Sequence, residues 1–349
     1  MGQKIIHKKA FVILSVICIF LMSACSSSLK ITKTQEYTMS KEAVDALKSL
    51  KILRVPFFNI SDKMILNVRE HFAVIQEGQL EDMKKKFNPT ISDTLINGVH
   101  TYIITPQNIK VENQDKIILY IHGCGFVLGS ATDQMGMLMT NELGFKTYAI
   151  DYSLAPEAKF PVAMNECLEV YKYLVSKYDP QNIVGVSASS GSTHMLAMLL
   201  KAKEENLPMI NSISLLSPAA DISSYGDAVV SNDGRDVLAY KNQAEKLFAK
   251  PFIGNADPTN PMISPVYADY TSDFPATSIV TGTRDGFLSC SSRLHWRLKM
   301  ANVPREILVG EGMWHGYTEF ADIPESVEAR KMTQDFLLNS LEKISIQNK

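Results

Sequence analysis

The feature that most constrains this chain is a pattern that returns seven times: a short apolar run of strand type at residues 101–105, 116–121, 146–150, 182–186, 212–216, 277–281 and 306–309. Helical periodicity fills residues 162–177, 191–205, 290–300 and 325–342. Strands apolar on both sides and separated by amphipathic helices bury both faces only as a mostly parallel sheet covered by helices, so the fold class is α/β. A chain of 349 residues that is 46% hydrophobic and 21% charged has ample material for one large core or two modest ones.

The remaining segments fall around that frame. Residues 36–90 read as polar–apolar helical segments at 41–53, 62–76 and 80–87, and they carry no catalytic signature. A longer charged insertion at about 222–269 interrupts the alternation. Together with the N-terminal helices it is expected to form a helical cap over the carboxyl ends of the strands, where open α/β sheets bind their ligands. The expected domains are thus 25–35 as a tether, 36–90 as an N-terminal cap segment and 91–349 as the α/β domain.

Charge and cysteine usage exclude several classes. Formal charge is −2 overall, and the first 24 residues hold three lysines and no acid, which leaves −5 on the remainder and no electrostatic footprint for nucleic acid. Cys124, Cys167 and Cys290 are scattered and odd in number, so neither a disulfide framework nor a metal site is expected. At the N-terminus Lys4, Lys8 and Lys9 precede an apolar run at 10–22, too short to span a bilayer at roughly 20 residues. Residues 1–24 read as an export signal.

Chemistry-bearing residues gather where predicted strands end. After strand 116–121 comes His122-Gly123-Cys124-Gly125-Phe126, a glycine-rich turn able to aim successive backbone N–H groups at a developing oxyanion. After strand 182–186 comes Ser187-Ala188-Ser189-Ser190-Gly191, which offers two nucleophile candidates. Ser187 sits in Gly185-x-Ser187-x-Ser189 and Ser189 in Ser187-x-Ser189-x-Gly191. The helix should begin directly after the nucleophile, so that its N-terminal amides face the oxyanion, and this register favours Ser189. Asp285, in Gly282-Thr283-Arg284-Asp285, and His315, in Gly312-Met313-Trp314-His315-Gly316, follow the strands at 277–281 and 306–309. A lone Asp or His in a loop means little, but Ser, Asp and His in that order at strand ends form the sequence of an acyl-transfer triad.

These stretches carry two resemblances. His122 to Phe126 resembles the His-Gly-Gly-Gly signature of hormone-sensitive-lipase-like bacterial carboxylesterases, and Asp151-Tyr152-Ser153-Leu154-Ala155-Pro156-Glu157 resembles that family's Asp-Tyr-Arg-Leu-Ala-Pro-Glu segment. Glu311 to His315 is similar to its catalytic-His loop, and counting from Asp179-Pro180, which resembles the lead-in to the nucleophile strand, again selects Ser189. The likeness covers about residues 90–340. It implies an α/β-hydrolase fold with a helical cap and a serine carboxylesterase acting on small, short-acyl esters. It implies Ser189, Asp285 and His315 as the triad and the N–H groups of Cys124, Gly125 and Ser190 as the oxyanion hole, without metal or organic cofactor. Cys124, Ser187 and Ser153 depart from the family pattern. Alternative readings are an envelope esterase deacetylating a glycan and a non-catalytic binding module on the same fold.

The second resemblance is Leu21-Met22-Ser23-Ala24-Cys25, which looks like the lipobox of bacterial lipoproteins. It implies lipidation at Cys25 and a catalytic domain in the bacterial cell envelope, held outside the cytoplasm at a membrane by its N-terminal anchor, with the oligomeric state left open.

Overall fold

The computed structural model describes residues 29–50, 60–238 and 246–347. The export segment and Cys25 lie outside them. The frame is one eight-stranded sheet in the order β1-β2-β4-β3-β5-β6-β7-β8. Its strands are β1 (Thr90–Ile96), β2 (Val99–Thr105), β3 (Ile117–Ile121), β4 (Lys146–Ile150), β5 (Ile183–Ala188), β6 (Ser212–Leu216), β7 (Ala276–Gly282) and β8 (Arg305–Gly310). From β4 through β8 every neighbouring pair is parallel, and β1 and β2 join antiparallel at one edge.

Seven of these strands match the apolar runs; β1 does not appear among them. Thr90–Ile96 is largely exposed and polar, as an edge strand can be, and only the two-residue turn Asn97-Gly98, both at positive φ, signals the hairpin.

The helices that matter are α1 (Lys41–Ser49), α2 (Asp62–Phe87), α3 (Gln134–Leu143), α4 (Val162–Lys177), α5 (Ser190–Glu204), α6 (Leu288–Met300) and α7 (Pro324–Gln347). The sequence pattern splits α2 after residue 76, yet the helix runs unbroken for 26 residues from the Ser61 cap to Asn88 in the left-handed region. Gly78 lies mid-helix with open space around it, so it lowers helix propensity by about 1 kcal/mol without ending the helix. Helix α3, capped by Asp133, was not expected from the sequence.

The core divides as the strand period dictates. On β3, Ile117, Leu119 and Ile121 join the cluster beneath α4, α5 and α6, while Ile118 and Tyr120 join the opposite cluster with α3 and α7. Helix α1 enters this second cluster through Ala43 and Leu47, and Ser40 at its start donates from both N–H and Oγ to the Glu325 carboxylate of α7. A third cluster sits beyond the carboxyl ends of the strands. There Ile65 and Phe72 of α2 meet Phe126 to Leu128, and the segment around 222–263 contributes Ile222, Leu247, Phe252 and Ile263. Among the described residues no helix is long and apolar enough to cross a membrane.

Candidate active site

Ser189 occupies the sharp turn between β5 and α5, at φ 48° and ψ −120°. That conformation is costly for a residue with a Cβ, and it is held from both sides: the Ser189 N–H donates to Leu216 O at 2.9 Å, and its carbonyl accepts from Ala219 and Ser192. Close backbone approach fixes the small neighbours. A Cβ on Gly191 would lie 2.3 Å from the carbonyl oxygens of Ile121 and His122, and one on Gly123 would lie 2.9 Å from Ala188 O. The glycine-rich turn and the Ser189 turn are therefore pressed together, and only glycine fits at both contacts.

The three residues singled out from the sequence converge. His315 Nε2 lies 3.0 Å from Ser189 Oγ, and His315 Nδ1 lies 3.1 Å from Asp285 Oδ1. A carboxylate only accepts, so Nδ1 carries the proton and Nε2 is left to accept from the serine hydroxyl. Asp285 is fully buried, and its carboxylate also accepts from Thr281 Oγ1 and from the Phe287 N–H. Burial opposes its ionisation, but His315, the Phe287 amide and Ser217 together hold it below the usual carboxylate value. For His315 burial works against the imidazolium, whereas Asp285 above all, then Asp236 and Glu319, favour it, and its pKa is raised above 6.5.

Ser187 is a different kind of residue. It is fully buried within β5, and its hydroxyl pairs with Ser192 Oγ at 3.0 Å, away from His315.

In the glycine-rich turn Cys124, Gly125 and Phe126 all have positive φ, at 74°, 69° and 69°. No described residue accepts from the amides of Cys124 or Gly125, and Ser190 opens α5, where first-turn amides have no helical partner. Ser190 Oγ accepts from the Phe126 N–H, which ties the turn to the helix. The thiol of Cys124 is driven well above its ordinary pKa by burial, with Glu319 and Asp133 nearby, so it stays protonated and is a poor nucleophile. His122 turns away from the chemistry. Its ring stacks on Tyr152, its Nδ1 donates to Gly123 O, and burial lowers its pKa to about 4.

The segment at 151–157 braces this turn. Tyr152 Oη donates to His122 O at 2.9 Å, and the Ala155 N–H donates to Phe126 O. Ser153 binds Glu166 through its N–H and Oγ. Arg69, from α2, donates to the carbonyls of Val127 and Ala155 and pairs with both oxygens of Glu157.

Sequence reasoning missed two contributors. Ser217, at φ 48° after β6, accepts from the Gly316 N–H, one residue past His315. Asp236, in the charged insertion, is buried and accepts from the His315 N–H. Neither has a local motif, since each acts through where the fold delivers it. Among the described residues no cluster of side chains could hold a metal ion.

Comparison with known proteins agrees with this architecture. An esterase of Acinetobacter venetianus is 26% identical over 247 residues, covering 69% of this chain and 80% of its own. The crystal structure of an esterase E25 superposes with a TM-score of 0.79 at 24% identity, over 91% of this chain and 98% of that one. That of an esterase from the bacterial hormone-sensitive lipase family gives 0.72 at 25% identity, over 81% and 93%. The model of a family with the alpha/beta hydrolase fold matches residues 118–319, more than half of the sequence, and the chain belongs to that family.

Proposed function

We propose that the chain hydrolyses small carboxylic esters by acyl transfer through Ser189, His315 and Asp285. It is a carboxylesterase-type hydrolase, and the observation that carries the assignment of residues is the continuous line Ser189 Oγ, His315 Nε2, His315 Nδ1, Asp285 Oδ1, with steps of 3.0 and 3.1 Å.

His315 takes the serine proton as Oγ attacks the ester carbonyl, then returns it to the leaving alcohol; a water activated in the same way releases the acid. Asp285 keeps Nδ1 protonated and stabilises the imidazolium. The tetrahedral oxygen is held in this reading by the amides of Cys124, Gly125 and Ser190, supported by the close contact of the two turns that carry them and by the lack of an acceptor for the Cys124 and Gly125 amides among the described residues. A short acyl chain fits the crowding beside the glycine-rich turn. A Cβ on Gly125 would fall 2.3 Å from the ring of Phe248, so an aromatic side chain already occupies the space beside the turn. For location, the apolar run at 10–22 and the Leu21 to Cys25 motif support an envelope lipoprotein anchored at Cys25.

The test is a pair of substitutions assayed on nitrophenyl acetate, nitrophenyl butyrate and acetylated sugars. Ser189→Ala should lower kcat on the order of 10⁶-fold. Ser187→Ala should leave kcat within about tenfold and instead cost roughly 1–3 kcal/mol of stability, because Ser192 Oγ loses its buried partner. The reverse ranking moves the nucleophile to Ser187. Equal retained activity rules out both serines as the nucleophile, absence of turnover by the wild type on every substrate supports a binding module, and turnover of acetylated sugars alone supports the glycan reading.

A further inference from the structure

We propose that Asp236 is a positioning residue of the triad, one buried carboxylate that fixes the catalytic-His loop against the catalytic-Asp loop and adds a second negative charge behind His315. The inference rests on the acyl-transfer reading above and assigns a role there to the insertion.

The geometry is a bridge. Asp236 Oδ1 accepts from the backbone N–H of His315 at 2.9 Å and from that of Val237 at 2.7 Å, while Oδ2 accepts from the N–H of Gly286 at 2.9 Å. One side chain, fully buried, thus grips the backbone of His315 itself and of the residue next to Asp285. The surrounding segment strengthens the grip. Asn232 Nδ2 donates to the carbonyls of Thr283 and Asp285, and Arg284 Nε donates to Arg235 O. A buried carboxylate with three amide donors is well satisfied, but it stands beside Asp285, and like charges in a dry environment resist joint ionisation. Burial and the Asp285 charge push the Asp236 pKa up to about 6, against the opposing pull of His315 and the amides of His315 and Gly286. Above that value both carboxylates are charged, and Asp236, acting on the ring through space, joins Asp285 in favouring the imidazolium formed as Ser189 attacks.

Among the described residues the charged groups acting on the pair can be named. Asp285, Asp236 and Glu319 act on His315, and Asp285, His315 and Arg284 act on Asp236.

Asp236→Asn is the informative change, because the amide keeps an acceptor for His315 and Val237 but turns a donor toward Gly286 N–H or loses that contact. Expected are a kcat lower by roughly tenfold to a hundredfold from misplaced groups, a KM within about threefold, and an acid limb of kcat/KM moved to lower pH by roughly half a unit or more, as one negative charge near His315 is lost. Labelling of Ser189 by a fluorophosphonate confirms that the turn is folded. Asp236→Ser, which keeps a small acceptor without charge, serves as the second variant and should shift the limb the same way. An acid limb at the wild-type position in a folded variant overturns the proposal, even if kcat falls. So does failure of both variants to fold, which makes Asp236 a residue of the framework alone. Wild type and Ser189→Ala run alongside: if Ser189→Ala retains activity, the acyl-transfer reading fails, whereas an inactive Ser189→Ala beside an unchanged Asp236→Asn removes only the role of Asp236.

Discussion

Cys124 stands at φ 74°, where an L-residue is strained, in the glycine-rich turn proposed to supply the oxyanion donors. The perturbation is Cys124→Gly compared with Cys124→Ala. Relieving a positive φ at a non-glycine residue returns about 1–3 kcal/mol. Glycine gives back about 0.4–1 kcal/mol through the greater entropy of its unfolded chain. Alanine keeps the Cβ and the strain, and both variants lose the same half-buried sulfur, so the loss of the thiol cancels between them. The glycine variant should therefore be the more stable by about 1 kcal/mol, within a range of about zero to 2.6. An ordinary site shows the opposite order, with glycine below alanine by roughly 0.5–1 kcal/mol. Urea melts with equal slopes read the difference directly. On nitrophenyl acetate, kcat/KM of Cys124→Gly should stay within tenfold of wild type or rise, because the amide donor is retained and such a donor is worth roughly 3 kcal/mol. Alanine more stable than glycine would refute the strain argument. A fall in rate beyond about a hundredfold would refute the passive role of the side chain and make the thiol part of the chemistry.

Two further outcomes are expected. The kcat/KM of the wild type should fall with decreasing pH through a midpoint above 6.5, since Asp285, Asp236 and Glu319 together raise His315 against the effect of burial, and imidazolium cannot accept the serine proton; the stability contributed by that raised pKa has the opposite sense, being complete below about 6.5 and lost as pH rises through the folded value. A rate flat from about pH 8 to 5 contradicts the base assignment. Cys25→Ser should yield a chain without the N-terminal lipid found on the wild type by mass spectrometry of the mature N-terminus, and an unmodified wild-type N-terminus elsewhere would end the lipoprotein proposal.

What the sequence made legible follows from where each signal is generated. Strands such as β3 are buried on both faces, so every residue of Ile117–Ile121 is apolar and the run stands out. The edge strand Thr90–Ile96 faces solvent and has no such constraint. Ser189, Asp285 and His315 were readable because each ends an apolar run, and strand ends are where this class of sheet concentrates chemistry. Asp236 was not readable, since it lies in a charged insertion with no periodicity, and its value comes from contacts with Gly286 and His315, 50 and 79 residues away.

Backbone strain identifies the same place without reference to any motif. Nine non-glycine residues have positive φ among those described. Four are asparagines, Asn88, Asn97, Asn206 and Asn302, a residue type that tolerates the left-handed region at turns and helix ends. The others are Cys124, Phe126, Ser189, Ser217 and Ser224, for which the conformation costs about 1–3 kcal/mol each. The first four of these follow β3, β5 and β6 at their carboxyl ends, and each is tied into the site. Phe126 N–H donates to Ser190 Oγ, Ser189 N–H to Leu216 O, and Ser217 N–H to Val280 O, while Cys124 O accepts from the Leu128 N–H. Strain of this size persists only where surrounding contacts over-determine it. Its concentration around Ser189, with asparagines at four of the five positive-φ non-glycine positions elsewhere, supports the proposed oxyanion site, in which amides are held in place before substrate arrives.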